Sequence, residues 1–177
     1  NKYLLDRKDR YFLCVGRLTK AKYFNQAVRV TSRLDLPLVI VGRGKDGDKL
    51  RKQAGKHVKI VNNVSRKELR TYYRNARALL QTGVEDFGMA SAESLACGTP
   101  VIALGRGGVK EIVNNGSTGV LYEDKSDEAL AEAIRKFALL EKKLNREALR
   151  SSVMKFSKRN WQEKMLLAVE RHVKKRP

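Results

Sequence analysis

Two glutamates eight residues apart, Glu85 and Glu93, stand in the stretch "TGVEDFGMASAESLACGTPVIAL", residues 82–104. They belong to a chain in which 38 Lys and Arg outnumber 19 Asp and Glu. Acids in so positive a setting suit polyol recognition, because a carboxylate accepts hydroxyl hydrogen bonds worth about 1.5–3 kcal/mol each. Glu85 falls in the loop after the apolar run "ARALLQ". Gly88 opens a helix that carries Glu93 about one and a half turns further on. At about 1.5 Å per residue, the two carboxylates straddle a length similar to the polar middle of a sugar nucleotide. Gly88, Ala90, Ser91 and Ala92 are small, as a backbone pressed against a ligand requires. A loop acid favoured by the helix dipole, together with a solvated helix acid, accounts for the same spacing without any ligand.

The second candidate is "VGRLTKAK", where a strand-like run ends in Gly16, Arg17 and Leu18, with Lys20 and Lys22 at the following helix start. Open α/β sheets bind ligands beyond the C-terminal ends of their strands, and cations there with helix amides suit a diphosphate. Arginine offers a planar fork and lysine a point charge. Solvated basic residues are the plain alternative.

Other patterns carry less. "GRGKDG", Gly42 to Gly47, satisfies the glycine spacing of a dinucleotide loop, but it follows the second strand rather than the first. The next strand, "VKIVNN", ends in asparagines where that fold needs an acid for the ribose. Asp46 and Asp48 resemble a paired-aspartate metal site, yet they flank a glycine at a helix start, where they read as caps. His57 and His172 have no Cys or His at ligand spacing and read as surface residues, so no metal site is expected. Cys14 and Cys97 read as two buried thiols of a reducing cytosol.

The elements that must position these residues alternate. The runs "YFLCVG", "PLVIVG", "VKIV", "ARALLQ", "PVIAL" and "TGVLY" are strand-like and separated by helical spacing, which favours a parallel sheet covered on both faces. The first helix is read from Lys20 to Leu34, with Phe24, Ala27, Val28 and Leu34 on one stripe. Ser65 and Glu68 have capping-box spacing, Gly98 reads as a helix stop and Pro100 as a strand start, and Ser126 and Asn145 read as N-caps. Three helical segments end the chain. The fold expected is α/β, a Rossmann-like doubly wound parallel sheet of about six strands with a C-terminal helical tail.

A length of 177 residues suits one domain. The chain has no apolar run long enough to cross a bilayer. It begins without Met or a secretory signal, and is expected to be a piece of a longer, cytoplasmic protein. A formal charge of +19 attracts phosphates, anionic lipid or nucleic acid without choosing among them.

Taken in order, "FLCVGRLTKAK", "PLVIVGRG", "EDFGMASAE" and "SLACGTPVIALGRGGVKEIV" strongly resemble the donor-binding, C-terminal half of retaining glycosyltransferases of family GT4, which have the two-domain GT-B fold. The resemblance runs from about Tyr11 to the final helix. It implies that Arg17 and Lys22, beside Gly16, hold the donor diphosphate, and that Glu85 binds hydroxyls of the transferred sugar. Backbone amides around Phe87, Gly88 and Met89 would help, and Glu93 would accept from the ribose. Gly107, Gly108 and Glu111 match a "GGxxE" turn that supports the site. Two departures stand out: Tyr23 occupies a position that is usually Gly, and Gln81 and Thr82 replace the usual Pro-Ser.

The resemblance further implies that residues 1–177 are one nucleotide-sugar-binding domain. Residues 1–10 would be its start or an interdomain linker, and residues 159–177 a helix that packs on an absent N-terminal acceptor domain. Transfer would retain configuration and need neither metal nor cofactor. The segments look most like mannosyltransferases of cell-surface polysaccharide or O-antigen assembly, which favours GDP-mannose as donor over a UDP-sugar. The acceptor would be a saccharide or a lipid-linked sugar. Trp161, Met165, Ala168 and Val173 near one face of the last helix, with Lys164, Arg171 and Lys174 elsewhere, also suit an anionic membrane surface, and thus a peripheral place at the inner face of the cell membrane. A GT-B-like sugar-nucleotide epimerase is the alternative enzyme. A nucleic-acid-binding domain ranks last, because aromatics are only 7% and no stacking motif occurs.

Overall fold

The computed structural model describes residues 10–173, with side chains through Arg171. Six strands form one parallel sheet: β1 (Phe12–Val15), β2 (Leu38–Val41), β3 (Val58–Val61), β4 (Ala78–Gln81), β5 (Val101–Leu104) and β6 (Gly119–Tyr122), in the order β3-β2-β1-β4-β5-β6. A parallel sheet is covered on both faces, so its inner strands must be apolar throughout rather than alternating. The sequences LVIV, ALLQ and VIAL are accordingly buried at every position. At the edge, β3 exposes Lys59, which discourages pairing with another chain.

Successive side chains point to opposite faces, so each strand feeds two cores. Phe12, Cys14, Leu38, Ile40 and Leu80 join α1 (Phe24–Arg33), α2 (Gly47–Gln53) and α6 (Asp127–Leu140) on one face. Leu13, Val39, Leu79 and Val101 join α3 (Arg66–Asn75), α4 (Met89–Ala96), α5 (Val109–Ile112) and α7 (Arg146–Ser152) on the other. Each large side chain fully removed from water contributes about 1.5–3 kcal/mol. Arg77, 4% exposed, ties the start of β4 to the end of α6 through a 2.7 Å bond to Glu141, with Phe12 beneath its guanidinium.

The sheet order reverses direction between β1 and β4. The loops after these two strands leave toward opposite faces and open a crevice at the C-terminal edge of the sheet.

The caps match expectation. Ser65 accepts from the Glu68 amide while Glu68 accepts from the Ser65 amide, and Ser126 and Asn145 cap α6 and α7. Gly98, at φ 74°, follows α4 in the left-handed region that a residue with a Cβ rarely adopts.

Other details differ. The helix read from Lys20 is instead a short 3-10 turn over Lys20–Lys22, and α1 begins only at Phe24. Between them Tyr23 sits at φ 52°, ψ 28°, a left-handed conformation strained by about 1–2 kcal/mol for a side-chain-bearing residue. Glycine, which the resemblance leads one to expect at this position, would not carry that strain. Asp46 occupies the N-cap position of α2, but its side chain makes no capping bond, and Asp48 pairs with Arg51 at 2.9 Å. Cys14 is buried as expected, whereas Cys97 is only half-buried. The "GGxxE" segment is not a plain turn, since Val109–Ile112 form α5.

Of the three C-terminal helices, α6 and α7 belong to the two cores. Only α8 (Lys158–Val173) stands away, exposed at every described side chain from Trp161 onward. The expectation for residues 1–10 lies outside the described residues except at Arg10, and residues 174–177 lie outside them too. The side chains of His172 and Val173 are likewise not described. Among the described residues, no helix is long and apolar enough to cross a membrane.

Candidate functional site

The crevice is built from the loops after β1 and β4, each held by a neighbouring loop. After β1, Gly16 adopts φ 151°, which glycine permits, and its amide donates to the Val41 carbonyl at 3.1 Å. The Leu18 amide donates to Arg43, and the Leu18 carbonyl accepts from the Asp46 amide, both at 3.0 Å. This backing explains "GRGKDG". A Cβ on Gly42 would lie 1.9 Å from the Gly16 carbonyl oxygen, and one on Gly44 2.4 Å from that of Leu18. These two glycines serve contact between loops.

After β4, Thr82 donates its hydroxyl to the Lys22 carbonyl at 2.8 Å. The absence of a side chain on Gly83 lets Ala21 approach, since a Cβ there would lie 2.5 Å from the Ala21 oxygen. The Lys20–Lys22 turn is thus laid directly on the end of β4. Sequence reasoning singled out Thr82 only as a departure; its position shows it to be the anchor of that turn.

The loop that carries Glu85 is held from its other side. The Gly108 amide donates to the Glu85 carbonyl at 2.9 Å, and a Cβ on Gly107 or Gly108 would come within 2.3 Å of the Glu85 or Asp86 carbonyl oxygen respectively. Phe87 meets Phe156 edge to face at 5.4 Å between ring centres, and Lys155 donates to the Glu111 carbonyl at 2.9 Å. Gly88, at φ 95°, then turns the chain into α4.

Within this frame the side chains fall into three groups. The Lys22 ammonium and the Glu85 carboxylate form an ion pair, with side chains 21% and 28% exposed. Arg17 is exposed, and its side chain has no hydrogen bond or ion pair among the described residues. Glu93 points instead toward α3, where one carboxylate oxygen accepts from the Tyr73 hydroxyl at 2.9 Å. Burial pushes the Tyr73 hydroxyl far above its ordinary pKa and the adjacent carboxylate pushes it further, so the phenol stays a donor. No sequence signal marked Tyr73.

Lys22 and Glu85 are therefore brought together, Gly16 lies beside the Lys22 stem, and Arg17 projects free. Phe87 and Met89 line the rim, 45% and 64% exposed. Beneath them Ser91 donates to the Gln81 side-chain oxygen, while the Gln81 Nε2 is buried without a partner. Two cations, a half-buried carboxylate and a second carboxylate oriented by a phenol can together take a phosphate group and several hydroxyls. Among the described residues, no three His, Cys, Asp or Glu side chains converge as a metal site, and His57 lies 2.8 Å from Asp35, far in sequence from the crevice loops.

Comparison with known proteins gives the family and the fold of the chain. Glycogen synthase of Mycobacterium tuberculosis (strain CDC 1551 / Oshkosh) is 34% identical over 134 residues, covering 70% of this chain and 32% of the relative. Phosphatidyl-myo-inositol mannosyltransferase of Mycobacterium leprae (strain TN) is 34% identical over 118 residues, 64% of this chain and 31% of that protein. The chain thus spans about a third of the length of these curated relatives. Among solved structures, Anabaena HepE in complex with UDP-glucose superposes with a TM-score of 0.75 at 18% identity, over 92% of this chain and 49% of that one. That likeness establishes the fold, a Rossmann-like half of the GT-B architecture. The sequence profile described as Glycosyl transferases group 1 matches residues 1–151, and the chain belongs to that family.

Proposed function

We propose that this chain is the donor-binding half of a glycosyltransferase that moves a sugar from a nucleoside diphosphate to a saccharide or lipid-linked acceptor. The observation that supports this most directly is the Lys22–Glu85 pair at the switch between β1 and β4, with Arg17 unpaired beside it. Arg17 and Lys22 hold the diphosphate, and the Glu85 carboxylate accepts from hydroxyls of the sugar, aided by amides of Phe87, Gly88 and Met89. Glu93, oriented by Tyr73, accepts from the ribose.

As the bond from the sugar's anomeric carbon to the diphosphate oxygen breaks, negative charge grows on that oxygen, and the two cations stabilise it. The acceptor oxygen bonds to the same face of the sugar and gives its proton to the departing diphosphate oxygen, so configuration is retained, with no metal required.

GDP-mannose is the donor favoured by the sequence resemblance, and the mannosyltransferase relative is consistent with it. UDP-glucose is the second reading, favoured by the ligand in the HepE complex. The N-terminal acceptor half lies outside this chain. It covers the exposed rim at Phe87 and Met89 and the apolar side chains of α8, among them Trp161 and Met165. The enzyme works in the cytoplasm, and its charge of +19 suits peripheral contact with an anionic membrane that presents a lipid-linked acceptor.

Thermal unfolding with GDP, UDP or ADP, with and without EDTA, tests the reading. A ligand at a hundred times its Kd stabilises by about 2.7 kcal/mol. For a domain of this size that raises Tm by roughly 5–11 °C. One nucleotide is expected to stand out, indifferent to chelator. Glu93→Ala should bind it at least about tenfold more weakly. Glu93→Ala also deprives the Tyr73 hydroxyl of its partner, so the shift is read against that variant's own baseline and against Tyr73→Phe. Equal nucleotide binding by Glu93→Ala removes the ribose assignment.

A further inference from the structure

A second cavity, of about 370 Å³, opens between the Lys20–Lys22 turn and α2. Phe24 lines both this cavity and the small space under the Lys22–Glu85 pair, so one turn of chain forms the wall between them. The size falls within the range of ligand pockets and suits one or two sugar rings rather than a whole nucleotide sugar.

Its lining holds unspent polar groups. The Asp46 Oδ2 is buried with no hydrogen-bond partner, a costly state for a carboxylate oxygen unless something donates to it. Lys20 and Lys49 reach the same cavity, and neither has an ion pair among the described residues. Asn25 and Gln53 add amides that are also without side-chain partners there. Tyr23 and Leu50 supply apolar surface, and the Tyr23 ring is held in place by its left-handed backbone and by the Lys125 ammonium 4.7 Å from its centre.

We propose that this cavity binds an anionic saccharide unit, a sugar carrying a phosphate or a carboxylate, as a ligand separate from the donor. The two ammonium groups call for an anion, and Asp46, an acceptor only, calls for a hydroxyl. A neutral sugar leaves both lysines unused. Inorganic phosphate sets its charge against Asp46 and leaves the apolar walls bare. A phosphorylated or acidic sugar places its anion at the lysines, its hydroxyls at Asp46 and the amides, and its C–H face on Tyr23. No residue assigned above to the diphosphate or sugar of the donor is needed.

Calorimetric titration of the chain with glucose 6-phosphate and with glucuronate, against glucose and inorganic phosphate, tests this. At least one of the two anionic sugars is expected to saturate one site and to bind about tenfold or more tighter than either comparator. Asp46→Asn and Lys49→Ala are each expected to weaken it about tenfold, while Arg17→Ala leaves it unchanged. Lys49 lies exposed on α2, so its loss leaves the fold intact, and thermal unfolding of both variants confirms that they are folded. No saturable binding of either sugar, or inorganic phosphate binding as tightly, overturns the proposal. Binding that depends on Arg17 and not on Lys49 overturns it equally, by placing the ligand in the donor crevice.

Discussion

Glu85→Gln is expected to bind a nucleotide sugar about tenfold or more weakly than the unaltered chain, and to bind the bare nucleoside diphosphate as well or somewhat better. The asymmetry follows from the ion pair. In the free chain Glu85 neutralises Lys22, and because both side chains are partly exposed the pair contributes only about 0–1 kcal/mol. A diphosphate must draw the Lys22 ammonium away from Glu85, and removing the negative charge eases that step by no more than the same small amount. The sugar, in contrast, needs the carboxylate released by that exchange. Calorimetry with GDP against GDP-mannose, and UDP against UDP-glucose, separates the two contributions. An equal loss for nucleotide and nucleotide sugar would mean that Glu85 merely holds the loop and makes no contact with the transferred residue.

The second large effect concerns the glycines after β2. Gly42→Ala and Gly44→Ala are each expected to lower stability by about 3–5 kcal/mol, since their Cβ atoms would sit 1.9 and 2.4 Å from backbone oxygens that neighbouring hydrogen bonds hold in place. The corresponding fall in Tm is roughly 6–20 °C. Gly47→Ala should be nearly neutral. Its Cβ would meet only the tip of Leu18 at 3.3 Å and of Arg51 at 3.4 Å, and both can move. Thermal denaturation of the three variants checks the contrast. If all three unfold normally and lose nucleotide affinity together, the loop is a phosphate cradle after all.

Much of the fold was legible because its signals are local. Continuous apolar runs between Gly and Pro mark strands buried on both faces, and Ser65 with Glu68, or Gly98 after α4, encode helix ends within a few residues. The break at Tyr23 was not legible, because tyrosine carries no left-handed preference; only its departure from the usual glycine hinted at it. Asp46 looked like a cap because its type and position fit one, whereas its carboxylate lies at the wall of a cavity that no spacing rule reveals. In the crevice, residue identities were readable and partnerships were not. Lys22 and Glu85 are 63 residues apart, and Glu93 and Tyr73 are 20 apart on two helices. Such pairs exist only once the sheet order has set the loops side by side.

The isolation of α8 has an optical consequence. Trp161 is the chain's only tryptophan, and it stands 59% exposed on that helix, beyond both cores. Indole emission in this chain should therefore be that of a wet fluorophore, peaking far to the red. It should shift to the blue only when another surface closes over the helix, and stay silent when the crevice fills. Docking of the proposed acceptor half and loading of the proposed donor can then be followed separately in one cuvette, the first by tryptophan colour and the second by heat.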